Sequence, residues 1–207
     1  MEIIEADELA LEAMRAGLLN FSAYAESIHK QIEKATLKRV QKGTIVVALS
    51  RIAKSSSVNA APLKPNVQLT DLSIRSSLCA ITFEKTADMQ RKVAVLHPFQ
   101  ITHHELFTIA ENPTEITLVV AEKAKEKITK QFDAKPKAII DNLVAITVQL
   151  PEKLSSTPNI HFVLLSALAA KRITIIELLS TYTETTFVVK KEYMEKAIRA
   201  LNMYFRK

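Results

Sequence analysis

ITHHELFTIAENPTEITLVV, residues 101–120, and ITIIELLSTYTETTFVV, residues 173–189, are two readings of one pattern. With a three-residue gap they share Glu105/Glu177, Glu115/Glu184, Thr117/Thr186 and the pairs Val119–Val120 and Val188–Val189. Each is a β-branched run, a polar break and a second β-branched run, which predicts a hairpin, turning around Asn112 and Pro113 in the first copy. The flanks repeat as well. SLCAITFEK (strand) and ADMQRKVAVLH (short helix) precede the first hairpin, and helical residues 121–132 follow it. DNLVAITVQL (strand) and NIHFVLLSALAAK (helix) precede the second, and helical residues 191–205 follow, with Met194, Ala197, Ile198 and Leu201 on one face. A duplicated strand-helix-strand-strand-helix order predicts an α+β fold made of two ferredoxin-like βαββαβ units.

A complete unit needs one more strand after its second helix. The first copy finds it at 137–141, but the second ends in a helix that runs almost to the last residue, 207. VQLTDLSI, residues 67–74, is the strand-like segment left over, so the two units are expected to interleave, with 67–74 completing the second sheet. The expected bounds are 66–142 for the first unit, whose segment 67–74 is lent to the second, and 143–207 for the second.

Upstream the periodicity becomes helical. Ala6, Leu9, Ala10, Ala13, Met14 and Leu18 form one stripe, ending near Gly17 to Asn20. Phe21, Tyr24, Ala25, Ile28, Ile32 and Ala35 form a second, capped by Asn20 or Ser22; after KRVQKGT, Ile45, Ala48, Leu49 and Ile52 form a third, capped by Thr44. Three short helices over 1–58 suggest a helix-turn-helix-like domain. The Ser-, Asn- and Pro-rich stretch KSSSVNAAPLKPN, 54–66, marks the boundary.

Composition narrows the chemistry. Glycine occurs twice, at Gly17 and Gly43, so no glycine-rich phosphate loop can be written. The single Cys79 provides neither a disulfide nor a cysteine zinc site and fits a reducing compartment. The start, MEIIEADELA, is acidic where a targeting peptide is basic, and no apolar run approaches the roughly 18 residues of a membrane span. The expectation is a cytoplasmic protein with no membrane partner. Charge is segregated: residues 1–28 carry six acids against Arg15, whereas 29–54 carry seven bases against Glu33. Neighbouring His103 and His104 on a strand point to opposite faces and cannot chelate one metal together. His29, His97 and His161 stand alone, and no nucleophile motif such as GxSxG is present. No metal, cofactor or catalytic residue is expected.

The stretch NIHFVLLSALAAKRITIIELLSTYTETTFVVKKEYMEKAIRAL, 159–201, resembles the second half of the ACT domains at the end of aspartate kinases; 101–132 resembles the same unit more weakly. With the helical front, the whole chain resembles ACT-domain proteins that lack a kinase domain. The resemblance implies interleaved units, a homodimer, and an amino acid or similar metabolite held by the loop after the first strand and the start of the next helix. That position corresponds to Thr86, Ala87, Asp88 and Met89 in the first copy and to Ser156, Thr157, Asn159 and Ile160 in the second. The chain departs from the family in having no glycine in that loop and in reading Ile-Thr, at 101–102 and 173–174, where Ile-Asn is frequent. Glu105 and Glu177 either pair with an effector amine or face water on the open side of a sheet.

Lys38, Arg39, Lys42, Thr44, Arg51 and Lys54 surround the third helix and suit the phosphates of duplex DNA. IVVAL within that helix is apolar nearly all round, which equally fits a buried helix with solvated lysines. Two functions follow: an amino-acid-responsive DNA-binding regulator, or a protein-interaction subunit whose degenerate ACT units serve dimerisation.

Overall fold

The computed structural model describes residues 2–54, 65–96, 106–132 and 134–205. The chain divides into two compact units, Met1–Pro65 and Asn66–Lys207. His97, His103, His104, Glu105, Ile101, Thr102 and most of the boundary stretch, 55–64, lie outside the described residues.

In the helical unit the described residues form α1 (Glu2–Glu5), α2 (Glu8–Arg15), α3 (Phe21–Thr36) and α4 (Lys42–Lys54). The single first helix expected is therefore two. Asp7 breaks it: its carboxylate accepts from the Ala10 amide at 3.0 Å, capping α2, and from the Tyr24 hydroxyl at 3.0 Å. Gly17 (φ 69°) follows the end of α2, Asn20 caps α3 through the Ala23 amide at 3.1 Å, and Leu37 ends α3 in the left-handed region. Thr44 is not the cap of the third expected helix. Its own amide bonds to the Gln41 carbonyl, so α4 begins at Lys42 and Thr44 lies inside the first turn. Ile4, Met14, Ala25, Ile28, Ile45 and Leu49 form the buried core, as the i, i+3, i+4 spacing requires.

The second unit is built on one antiparallel sheet. Its strands are β1 (Asp71–Glu84), β2 (Thr108–Glu111), β3 (Glu115–Ala121), β4 (Ala138–Gln149), β5 (Ile175–Ser180) and β6 (Glu184–Lys190), in the order β2-β3-β1-β4-β6-β5. The helices are α5 (Ala87–Leu96), α6 (Lys125–Phe132), α7 (Ile160–Ala170) and α8 (Met194–Asn202). The segments expected as separate strands at 67–74 and 77–85 are one strand. The polar step Arg75-Ser76-Ser77 does not turn the chain; it makes a β-bulge with Ser77 at φ 58°. The 137–141 and 141–150 segments fuse likewise into β4, with Asn142 at φ 58°.

These two long strands interleave the units. The second half of β1 pairs with β3 and with Ala138–Ile140 of β4, while the second half of β4 pairs with β6 and with Asp71–Arg75 of β1. Each four-stranded ferredoxin-like set thus takes its last strand from the other's first. Residues 71–74 do complete the second sheet, beside β4 and not beside β6. Val67 and Leu69, just before β1, are buried in the second unit's core, and the Leu69 amide donates to the Tyr204 carbonyl at 3.0 Å.

The repeat is also visible in side chains. Thr82 bonds Thr117 at 3.0 Å and Thr147 bonds Thr186 at 2.7 Å, hydroxyl to hydroxyl, at matching places. The hairpins are equally long, closed by Asn112 N–H to Glu115 C=O and Thr181 N–H to Glu184 C=O, both 2.9 Å. The three-residue difference therefore lies upstream of the hairpins. Thr108 opposes Val119 as Glu177 opposes Val188, so Thr108, not Glu105, is the counterpart of Glu177.

Helices cover one face of each set. Phe83 and Phe132 meet edge-to-face at 5.1 Å in the first core, with Met89 and Val93 of α5; Leu164, Leu168 and Phe187 are fully buried in the second. Leu78, Ala80, Val119, Leu143, Ala145 and Val188 form a further core on the other face. β6 is buried at five successive positions, which is why its sequence reads as a continuous apolar run instead of an alternation.

Candidate functional site

The loop between the first strand and first helix of each copy sits where the ends of two other strands converge. In the first copy, Thr86 Oγ1 accepts from the Met89 amide at 3.1 Å and so fixes the start of α5. Thr86, Ala87 and Asp88 are exposed, but the Met89 side chain is buried in the core. Asp88 is engaged within its own helix, 2.8 Å from Lys92 Nζ and 3.7 Å from Arg91. The Lys92 hydrogen bond, reinforced by the charges of Lys92 and Arg91, holds its carboxyl below the usual range. Lys92 also donates to the Phe132 carbonyl at 2.6 Å. Asp88 is thus an anion already paired.

Beside this loop lie residues that sequence reasoning missed. Gln90 Nε2 donates to Glu111 Oε1 at 2.6 Å, and Lys85 Nζ lies 2.6 Å from the same oxygen. The Lys85 and Gln90 hydrogen bonds lower the Glu111 pKa. The second copy repeats the geometry with different chemistry. His161, one residue into α7, reaches Ser180 Oγ at 3.1 Å and Thr185 Oγ1 at 3.4 Å. Met89 with Val93 and Ile160 with Leu164 occupy the same buried helical positions, so Gln90 and His161 correspond, each tying its helix to the end of the neighbouring β2 or β5. The loop of the second copy is longer: Ser156 and Asn159 are exposed, Thr157 is half-buried, and Ile160 is a core side chain. Asn159 adopts φ 66°, a conformation asparagine tolerates, and its carbonyl accepts from the Val163 amide at 3.1 Å. In both copies the small polar groups at the loop border a hydrogen-bonded helix-to-strand link, with apolar core directly beneath.

Glu177, on edge strand β5, has no hydrogen bond or ion pair among the described residues, and burial raises its carboxyl pKa. It faces the Val188 side of the sheet.

In the helical unit, Lys38, Arg39, Lys42, Thr44, Arg51 and Lys54 are exposed. Lys38 and Arg39 precede α4, Lys42 and Thr44 open it, and Arg51 and Lys54 lie in its last turn. Lys42 Nζ is held by the carboxylate of Glu26, whose pKa it lowers through that hydrogen bond. Thr44, Val47, Ala48 and Arg51 border a shallow depression of about 820 Å³, and Val47 is 53% exposed. Next to this depression, sharing Thr44, Ala48 and Ile52, is an apolar groove of about 570 Å³ lined by Ile28, Ile32 and Ile45. Among the described residues no group of histidine, cysteine and acidic side chains could hold a metal, and no helix is long and apolar enough to cross a membrane.

Residues 138–203 match the model of the ACT domain. No curated protein matches the chain significantly. Solved structures do match. One is the aspartate kinase of Clostridium acetobutylicum, with 15% identity and a TM-score of 0.56 over 67% of this chain and 35% of that one. The regulatory subunit of aspartate kinase from Thermus thermophilus, in its ligand-free form, matches with 13% identity and a TM-score of 0.54 over 67% of this chain and 99% of that one. Aspartokinase III of E. coli, in complex with aspartate and ADP, gives 12% and 0.53 over 67% and 34%. The chain therefore spans about a third of the kinases' length and nearly all of the regulatory subunit's. At these identities the likeness is one of fold. The ACT-domain match is thus confined to 138–203, and the sheet unit shares the fold of aspartate kinase regulatory domains.

Proposed function

We propose that this chain is an amino-acid-responsive regulatory protein in which the interleaved ACT pair senses a small amino acid and the helical unit binds duplex DNA. The observation that carries the sensing half is the ACT match over 138–203 together with the polar loops at Thr86–Asp88 and Ser156–Asn159, each set against a helix-to-strand hydrogen bond. A ligand carboxylate or ammonium at Ser156–Asn159 would compete for the hydroxyls and imidazole of Ser180, Thr185 and His161. The link between α7 and β5 then becomes the element whose position depends on ligand. In a homodimer such a shift alters the separation of the two copies of α4, and with it the fit to DNA.

The DNA half rests on Lys38, Arg39, Arg51 and Lys54, exposed cations around one helix. Phosphate-driven binding falls with salt in proportion to the contacts made, with a slope of roughly 0.9 for each contact. Duplex affinity is measured by fluorescence anisotropy from about 50 to about 200 mM salt, for the wild-type chain and the variant with all four cations replaced by alanine. Salt-dependent binding that is lost and flattened in the variant supports this half, and no wild-type binding at about 50 mM salt ends it.

A second reading is favoured by one observation: the outer face of α4 presents Val47 and Ala48 where base-reading side chains would be needed. In that reading the helical unit docks on a protein, and the ACT pair serves assembly.

A further inference from the structure

The far end of α7 carries a cationic depression that the sensing reading does not use. It measures about 530 Å³ and is lined by Ala170, Lys171, Arg172, Lys196 and Arg199. The 11 residues of α7 separate it from the Asn159 loop by roughly 16 Å at 1.5 Å per residue. Four formal positive charges converge there from the α7–β5 turn and from α8.

Their neutralisation is poor. Among the described residues Lys171, Arg172 and Lys196 have no ion pair or side-chain hydrogen bond. Arg199 lies 3.6 Å from Glu195, with both side chains about four-fifths exposed, an arrangement that contributes little. The fold also places these charges at a cost. Lys171 and Arg172 follow the C-terminus of α7, where cations are welcome. Lys196, however, is in the first turn of α8, against the helix dipole, and stands one turn from the like charge of Arg199. Arg172 occupies φ 54°, bonding back to the Ala169 carbonyl at 2.8 Å, at a helix-ending position where glycine is preferred. The exposed pair recurs at Lys127 and Lys130 in α6, the α8 counterpart. A multiply charged anion would relieve the repulsion among these cations and the conflict of Lys196 with the helix dipole, whereas a single carboxylate would leave most of the repulsion in place.

We propose that this depression binds the phosphate groups of a di- or triphosphate-bearing ligand, with Lys171, Arg172, Lys196 and Arg199 as its contacts. The two guanidinium groups supply forked donors and the two ammonium groups point charges, the combination that grips phosphate oxygens. The site is separate from the helical unit's cations and does not depend on the sensing reading.

Isothermal titration of the full chain with inorganic triphosphate, and in parallel with ATP, at about 50 mM salt tests it. Wild type and the variant lacking Lys38, Arg39, Arg51 and Lys54 should bind alike. Lys196→Glu with Arg199→Glu should weaken binding at least about tenfold, since charge-assisted bonds to two groups are removed. Lys196→Gln with Arg199→Gln, a milder change at exposed positions, should give an intermediate loss and serves if the reversal impairs folding. Equal affinity for the two probes means recognition of phosphate alone, and tighter ATP binding means that a nucleoside is recognised too; both support the site. No binding by the wild type, or binding lost in the helical-unit variant and kept in the α8 variants, would overturn it.

Discussion

Leu69→Ala tests whether the segment before β1 belongs to the second unit. Leu69 lies outside the sheet's regular ladder, yet it is only 4% exposed and packs in the core that contains Val148, Leu164 and Leu201. Truncating a buried leucine removes its transfer free energy and leaves a cavity, about 2 to 5 kcal/mol in all. For a unit of this size each kcal/mol lowers Tm by roughly 2 to 4 °C, so a fall of about 7 to 14 °C is expected from the middle of that range. Val95→Ala in α5, a residue 58% exposed, should change stability by less than about 0.5 kcal/mol. The larger perturbation is truncation. A chain beginning at Leu78 loses the pairing of Asp71–Arg75 with Ala145–Gln149, exposing the edge of β4 as well as the core. It should aggregate on size-exclusion chromatography, whereas a chain beginning at Asn66 should elute as one species. A Leu69→Ala melting temperature within 1 °C of wild type, together with a well-folded Leu78 chain, would refute the interleaving.

Two further outcomes concern the helical unit. Leu37 sits at φ 55° and is 91% exposed, so Leu37→Gly should stabilise the unit by roughly 1 kcal/mol in urea denaturation, by removing left-handed strain without losing a contact. The Tyr24 hydroxyl pKa is pushed up to about 12 by burial and by the hydrogen bond to and charge of Asp7. Because the folded value exceeds the ordinary value near 10, its contribution to stability is complete below pH 10 and is lost as pH rises from 10 towards 12. Absorbance titration at alkaline pH should show a late-ionising tyrosine that is lost in Tyr24→Phe, while Tyr204, whose hydroxyl pKa burial also raises, still ionises late.

The fold was legible in the sequence wherever periodicity was unambiguous. The β-branched hairpins, the amphipathic face of α8 and the unmatched strand at 67–74 led to interleaved ferredoxin-like units, as found. What remained hidden depends on single backbone positions and on register. Arg75-Ser76-Ser77 has the composition of a turn, and only the left-handed Ser77 reveals a bulge within one strand. Asp7 reads as one more helical residue unless its hydrogen bond to Tyr24 is known. Of the loop residues, Met89 and Ile160 carried a signal in the sequence, since each stands four before another core residue, Val93 and Leu164. Gln90–Glu111 and His161–Ser180 carried none, because residues 21 and 19 apart become neighbours only through strand register.

The sensing claim is tested most directly by following the melting of the intact chain with each of the twenty amino acids. A ligand that binds only the folded state stabilises it by about 2.7 kcal/mol at one hundred times its Kd, or roughly 5 to 10 °C here. One amino acid, or a small related group, should produce such a shift, and Ser156→Ala with His161→Ala should abolish it. No shift with any of the twenty would contradict an amino-acid sensor and leave the ACT pair as an assembly element.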